Sequence, residues 1–158
     1  MRAVIQRVRG ASVTAAGKAS GRIGEGLAIL IGIAAGDGEE QARLVAAKAL
    51  RLRVFPAAEG GAGFDRSVLE IGGGILLVSQ FTLHASVRKG RRPDFAAAAS
   101  RETAAPLFER VVSLFRESGL RVETGIFGAE MELQLTNSGP ATFLLDSDDW
   151  QGTGGSRR

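Results

Sequence analysis

Between Gly26 and Ile33 the chain runs through apolar side chains almost without a break: Leu27, Ile29, Leu30, Ile31 and Ile33. A run this short and this apolar suits a central strand buried on both faces. Ile75-Leu76-Leu77-Val78 is a second of the same kind. Such a sheet needs cover, and two helical patterns supply it. Asp37, with Glu40 three residues on, marks a helix start. That helix is expected to run to about Leu52, with Ala42, Val45, Ala49 and Leu52 on its apolar face. The second pattern is Ala104, Leu107, Phe108, Val111, Val112 and Phe115, at helical spacing, stopping near Gly119. Pro106 fits this helix if Thr103 or a neighbour caps it and places the proline in the first turn.

Further strands are expected at residues 2–9, at Ser67–Ile71 (a short edge strand) and near 121–127, 131–136 and 141–146. A hairpin is expected across Ala15–Lys18, and the glycines of Glu59–Phe64 mark a loop. Together these predict a single α+β domain over residues 1–150. Its sheet is mostly antiparallel and barrel-like, with two main helices packed on it. Residues 151–158 read as a disordered tail. No apolar run approaches the ~20 residues a membrane helix needs. Met1–Arg7 lacks the apolar centre of a signal peptide, which gives a cytoplasmic expectation.

Asn137-Ser138-Gly139-Pro140-Ala141-Thr142 lies between two of these strands and reads first as a hairpin-like turn. Its tip is nearly bare backbone, because Pro140 has no donor and Gly139 no side chain. An X-Pro bond is cis in roughly 5% of folded cases. A cis bond here would point two carbonyls the same way, a rigid prong that feels shape without reading a side chain.

Net charge is +3, from 20 basic and 17 acidic residues. Only Lys18, Lys48 and Lys89 are lysines, so a pI near 10.2 reflects scarce lysine rather than a general polyanion-binding field. Clustering says more. Arg88, Lys89, Arg91 and Arg92 form a compact basic loop closed by Pro93. It reads either as a solvated loop or as a contact for a phosphate-bearing partner.

Several chemistries drop out. The Gly10–Lys18 stretch has the wrong glycine spacing for a phosphate loop, and Ala19 stands where Ser or Thr would hold magnesium. With no cysteine and His84 the only histidine, a His/Cys metal site is not expected, nor is any cofactor. A nucleophilic triad would need His84 as its base. In an extended segment His84 and Thr82 share a face with Cβ atoms about 7 Å apart, and no acid is at hand to orient the ring. What remains is a site of backbone groups. Ser79-Gln80-Phe81-Thr82 follows a buried strand where the ladder can end and leave N–H groups for a developing oxyanion, with the Gln80 amide as a further donor.

Read together, Ser79-Gln80-Phe81-Thr82-Leu83 and Asn137–Thr142 resemble the two signature motifs of D-aminoacyl-tRNA deacylases. The resemblance extends through Met1–Val8, Gly24–Leu27, Leu52–Phe55, Lys89–Pro93 and Thr124–Met131. It implies an enzyme that hydrolyses the ester of D-aminoacyl-tRNA, with glycyl-tRNA as a further substrate. It implies a homodimer with active sites at the interface, where Gly139 and Pro140, joined by a cis bond, reach into the neighbouring site and crowd an L side chain. Arg7 would hold that prong, and Asn137 belongs to the same selectivity motif. Gln80, Phe81 and Thr82 would surround the terminal adenosine and the ester. Ser79, Ala129 and Met131 would line the substrate site, and Lys89, Arg91 and Arg92 would contact tRNA. The chemistry implied uses the tRNA's own ribose hydroxyl with backbone donors. Departures from the family pattern are Ala141, Asp94, His84 and the 59–66 loop. The competing readings are a non-catalytic RNA-binding module, resting on Arg88–Arg92, and a generic esterase using Thr82.

Overall fold

The computed structural model describes residues 1–57 and 63–150. Strand β1 (Arg2–Ala15) organises it, because its alternating side chains Ala3, Ile5, Ala11, Val13 and Ala15 all turn inward. Its first half pairs antiparallel with β3 (Gly26–Gly32) and its second half with β2 (Lys18–Ile23). Strand β6 (Met131–Asp146) runs antiparallel along its other edge. The expected hairpin joins β1 to β2 through Ala16 and Gly17, both at positive φ (50° and 74°), as a tight twisted turn requires. Strand β4 (Gly74–Ser79) lies parallel to β3, and β5 (Val122–Thr124) lies parallel to β4. The sheet is therefore mixed, with three antiparallel ladders and two parallel ones among the described residues. It curls until β2 meets β5: a Cβ at Gly21 would stand 2.8 Å from the Thr124 carbonyl oxygen. A nearly closed barrel results, within the α+β class.

The two apolar runs are buried on both faces, as their composition requires. Leu27, Ile29, Ile31, Ile75 and Leu77 face the helices, while Ala28, Leu76 and Val78 face the barrel interior with Val8 and Val13. Helix α1 (Glu39–Arg51) contributes Val45 and Ala49 to the helix-side core, and α3 (Arg101–Arg116) contributes Phe108, Val111 and Phe115. Each of the valines and phenylalanines is worth roughly 1.5–3 kcal/mol of burial.

Four local expectations change. Helix α1 is capped at Gly38, whose N–H donates to Gln41 Oε1 (2.9 Å), and not at Asp37. The Asp37 carboxylate instead accepts from the Ala34 N–H (2.6 Å) and pairs with the Met1 amino group (2.7 Å). Helix α3 is capped by Ser100 rather than Thr103, so Pro106 falls in the second turn. The missing proline N–H leaves the Glu102 carbonyl without its helical partner.

Ser67–Ile71 is not an edge strand. Val68–Ile71 forms a one-turn helix, α2, in which Ser67 caps the Glu70 N–H and Glu70 accepts from the Ser67 N–H (2.7 Å). Those bonds, from the Ser67 backbone first and its hydroxyl second, hold the Glu70 carboxyl below its ordinary 4.5. A depressed folded-state value adds stability above pH 4.5 that is lost as pH falls through the folded value. Ser67→Ala keeps the backbone bond and loses the hydroxyl, so it is expected to flatten the acid side of the stability profile only in part, measured as urea midpoints from neutral pH downward.

Residues 131–146 form one strand, not two joined by a hairpin turn. From Gly10 to Gln6 β1 advances four residues, while β6 advances six from Thr136 to Thr142. The surplus bows Ser138–Ala141 out of the ladder opposite Arg7, a bulge in a continuous strand. The Gly139–Pro140 bond within it is cis. The loop expected at 59–64 lies partly, and the tail at 151–158 wholly, outside the described residues.

Candidate active site

Strand β4 sets the first part of the site. Its ladder with β3 ends at Ile31 and Ser79, after which the Gln80 N–H still donates to the Ile31 carbonyl (2.7 Å). The chain then tightens into a 3₁₀ turn, Phe81–His84. In i→i+3 bonding the opening N–H groups have no acceptor within the turn, so Phe81 and Thr82 present donors where the ladder stops. This turn replaces the extended segment assumed for Thr82 and His84. It buries His84, whose Nε2 has no hydrogen-bond partner among the described residues. Gln80 Nε2 donates to Thr82 Oγ1 at 2.5 Å. That amide cannot take a proton from the hydroxyl, so Thr82 has a donor beside it where a nucleophile needs a base.

The turn is pressed onto β3 at Gly32. A Cβ there would stand 2.8 Å from Leu83 Cβ, 3.0 Å from the Gln80 carbonyl oxygen and 3.1 Å from His84 Cδ2. Ser79, Gln80 and Phe81 form one wall of a cavity of about 530 Å³, and Ala129 and Met131 line it from the loop before β6 and the start of that strand. Most of the remaining wall is aliphatic or aromatic; Arg101, at the start of α3, is its one charged residue among the described residues. At the rim the exposed ring of Phe81 meets Phe95 edge-on, centroids 5.0 Å apart. Phe95 follows Asp94, whose backbone pairs with Ser86 (2.7 and 2.9 Å) and closes the loop bearing Lys89, Arg91 and Arg92. All three basic side chains are exposed.

The second part is the bulge in β6. Arg7 is 9% exposed, and its guanidinium donates to the carbonyls of Ser138 (2.8 Å) and Val54 (2.5 Å) and more loosely to that of Gly63 (3.4 Å). It also lies over the Phe64 ring, 5.7 Å from its centroid. Asn137 Nδ2 donates to the carbonyls of Arg7 (3.2 Å) and Ala141 (3.3 Å), tying the foot of the bulge. A side chain at Gly139 would collide with Asn137 Oδ1. Held this way, Gly139 and Pro140 stand exposed on an outer strand and take no part in the cavity of their own chain.

Both motifs are thus built features, and a family model for D-Tyr-tRNA(Tyr) deacylase matches residues 4–146. The chain belongs to the D-Tyr-tRNA(Tyr) deacylase family. It is 54% identical over 147 residues to the D-aminoacyl-tRNA deacylase of Roseiflexus sp. (strain RS-1), covering 93% of this chain and 94% of that one. With the protein of the same name from Thermus aquaticus it shares 48% over 152 residues, 96% and 99% of the two chains. A solved structure titled c-Myc DNA Unwinding Element Binding Protein superposes with a TM-score of 0.85 at 38% identity, over 92% of this chain and 98% of that one. A probable eukaryotic D-amino acid tRNA deacylase, at 21% identity and a TM-score of 0.81 over 91% and 97% of the two chains, shares the fold. As a member of this deacylase family the chain is a hydrolase.

Three participants carried no sequence signal as site residues. Val54 contributes only its carbonyl, Gly32 only its lack of a side chain, and Arg101 looked like the solvent face of a helix start.

Proposed function

We propose that this chain hydrolyses the ester of D-aminoacyl-tRNA, releasing the amino acid and the tRNA. The carrying observation is the cavity beside Ser79–Thr82, a largely apolar chamber of nucleoside dimensions with an arc of polar donors on one wall. The terminal adenosine enters the chamber, and its ester lies against the N–H groups of Phe81 and Thr82. Water adds to the ester carbonyl while those donors hold the developing oxyanion. The bond to the ribose oxygen then breaks, and that oxygen leaves with a proton. No carboxylate or histidine lines the chamber among the described residues, so the neighbouring ribose hydroxyl is the group left to orient the water.

The same reading makes the working unit a homodimer. Among the described residues β6 pairs only with β1, leaving its outer edge open over sixteen residues, with Leu144 77% exposed on it. An open edge of this length is a surface for a second copy. Across such an interface the Gly139–Pro140 carbonyls of one protomer enter the other's site. They exclude an L side chain, whereas a D side chain points away. Glycine, with nothing to exclude, is also hydrolysed. Lys89, Arg91 and Arg92 contact the acceptor arm as an electrostatic rim.

The deciding experiment compares matched D-Tyr-tRNA and L-Tyr-tRNA. The D ester is expected to be consumed and the L ester left intact. Binding of tRNA with neither ester hydrolysed would instead favour the non-catalytic module and sink this reading.

A further inference from the structure

We propose that Arg101 grips the phosphodiester on the 5′ side of the terminal nucleotide, an inference that rests on the deacylase reading above. Among the described residues Arg101 is the one charged side chain in a chamber otherwise walled by apolar groups and the polar Ser79 and Gln80. No carboxylate of the described residues lies within ion-pair distance of it, and none of its donors has a hydrogen-bond partner among them. Its acidic neighbour Glu102 is hydrogen-bonded by its own backbone N–H and by Ser100, and its attraction to Arg101 is only a weaker through-space one.

Arg101 is exposed as a residue, and its guanidinium packs on the loop before β6. It lies over Gly128, where an added Cβ would come within 3.0 Å of both Cζ and Nη2. Gly128 sits at φ +73°, so the loop before β6 turns there and leaves the space the guanidinium fills. A planar cation held against a glycine with its donors unspent is an anion receptor in waiting.

Charge decides which anion. The aminoacyl end of the substrate carries an ammonium and a neutral ester, and a guanidinium would repel the first. The adenine and ribose are neutral. The anion bordering a nucleoside in RNA is its 5′ phosphodiester, so Arg101 belongs to the side of the chamber away from the ester. Arginine suits this partner because its fork matches two phosphate oxygens at once.

The test uses three substrates: D-Tyr-tRNA, the 3′-O-(D-tyrosyl) ester of 5′-AMP, and the same ester of adenosine. Arg101→Gln is expected to raise KM about tenfold for the two phosphorylated substrates, the size of one charge-assisted contact. Its kcat should hold, and the adenosine ester should be hydrolysed as before. Arg101→Lys should recover part of the loss. Equal losses on all three substrates would mean that Arg101 merely shapes the chamber, and no loss on either phosphorylated one would mean that it touches no phosphate. Both overturn the proposal. A wild-type protein inert towards all three would overturn the deacylase reading itself, a result recognisable before any variant is made.

Discussion

Arg7→Met will lower the ratio of D- to L-Tyr-tRNA hydrolysis about 100-fold, the scale expected when a positioning group lets a site drift by about 1 Å. The Arg7 guanidinium holds the Ser138 carbonyl at 2.8 Å and the Val54 carbonyl at 2.5 Å, fastening the bulge of β6 to the chain that follows α1. Methionine keeps much of the volume over Phe64 but offers no donor. The carbonyls it deserts are part-buried to buried, and each unsatisfied group costs about 1–3 kcal/mol. The bulge is then free to move, and with it the two carbonyls proposed to exclude an L side chain. Because the proposed role of Arg7 is to position the prong without touching a reacting atom, the telling readout is the ratio of single-turnover rates on the two esters. A parallel loss on both, or stability lost with the ratio intact, would mean that Arg7 only supports the fold. Arg7→Lys should recover little, since one ammonium cannot span carbonyls arriving from two segments.

Much of this architecture is legible from residue types alone, and the failures share a cause. Gly26–Ile33 and Ile75–Val78 read as strands buried on both faces because burial on both faces needs an unbroken apolar run. Helix α3 reads from Ala104 to Phe115 because its apolar residues recur at helical spacing. Asn137–Thr142 misleads because a bulge and a hairpin turn use the same residues: both need glycine, proline and self-bonding Asn. Only the register against β1, with six steps on one strand for four on the other, separates them. Ser67-Val68-Leu69-Glu70 hid a cap behind a short apolar stretch, and at one turn's length periodicity has no power to choose. At the site, Gln80 and Phe81 were legible as the end of a buried strand, Ala129 and Met131 only through family resemblance, and the chamber brings the four together. Arg101 and the Val54 carbonyl did not emerge, because a backbone oxygen has no residue type and a lone arginine at a helix start looks like solvated surface.

The wall proposed to be catalytic depends on an absence, and Gly32→Ala is expected to expose it. The new methyl would meet Leu83 Cβ at 2.8 Å, the Gln80 carbonyl oxygen at 3.0 Å and His84 Cδ2 at 3.1 Å. None of these is the loose end of a flexible side chain. The Leu83 atom is fixed to the backbone of the 3₁₀ turn, the Gln80 oxygen is that backbone, and the His84 ring is buried. The strand beneath is tethered too, since Gly32 pairs with Arg2 of β1 on one edge and the Gln80 N–H holds the Ile31 carbonyl just before it on the other. The turn must therefore lift, at a cost of about 1–3 kcal/mol for overpacking. Lifting it carries the Phe81 and Thr82 N–H groups away from the ester, and losing the alignment of one such donor costs about 100- to 1,000-fold in turnover. Gly32→Ala should thus cut kcat on D-Tyr-tRNA by at least about 100-fold while the urea midpoint falls only modestly and the protein stays folded. Thr82→Ala makes the contrast. It removes a hydroxyl that already accepts from Gln80 and leaves the backbone donors in place, so most of the rate should survive. The opposite ranking, with Thr82→Ala dead and Gly32→Ala active, would return the chemistry to the side chain and take it from the backbone.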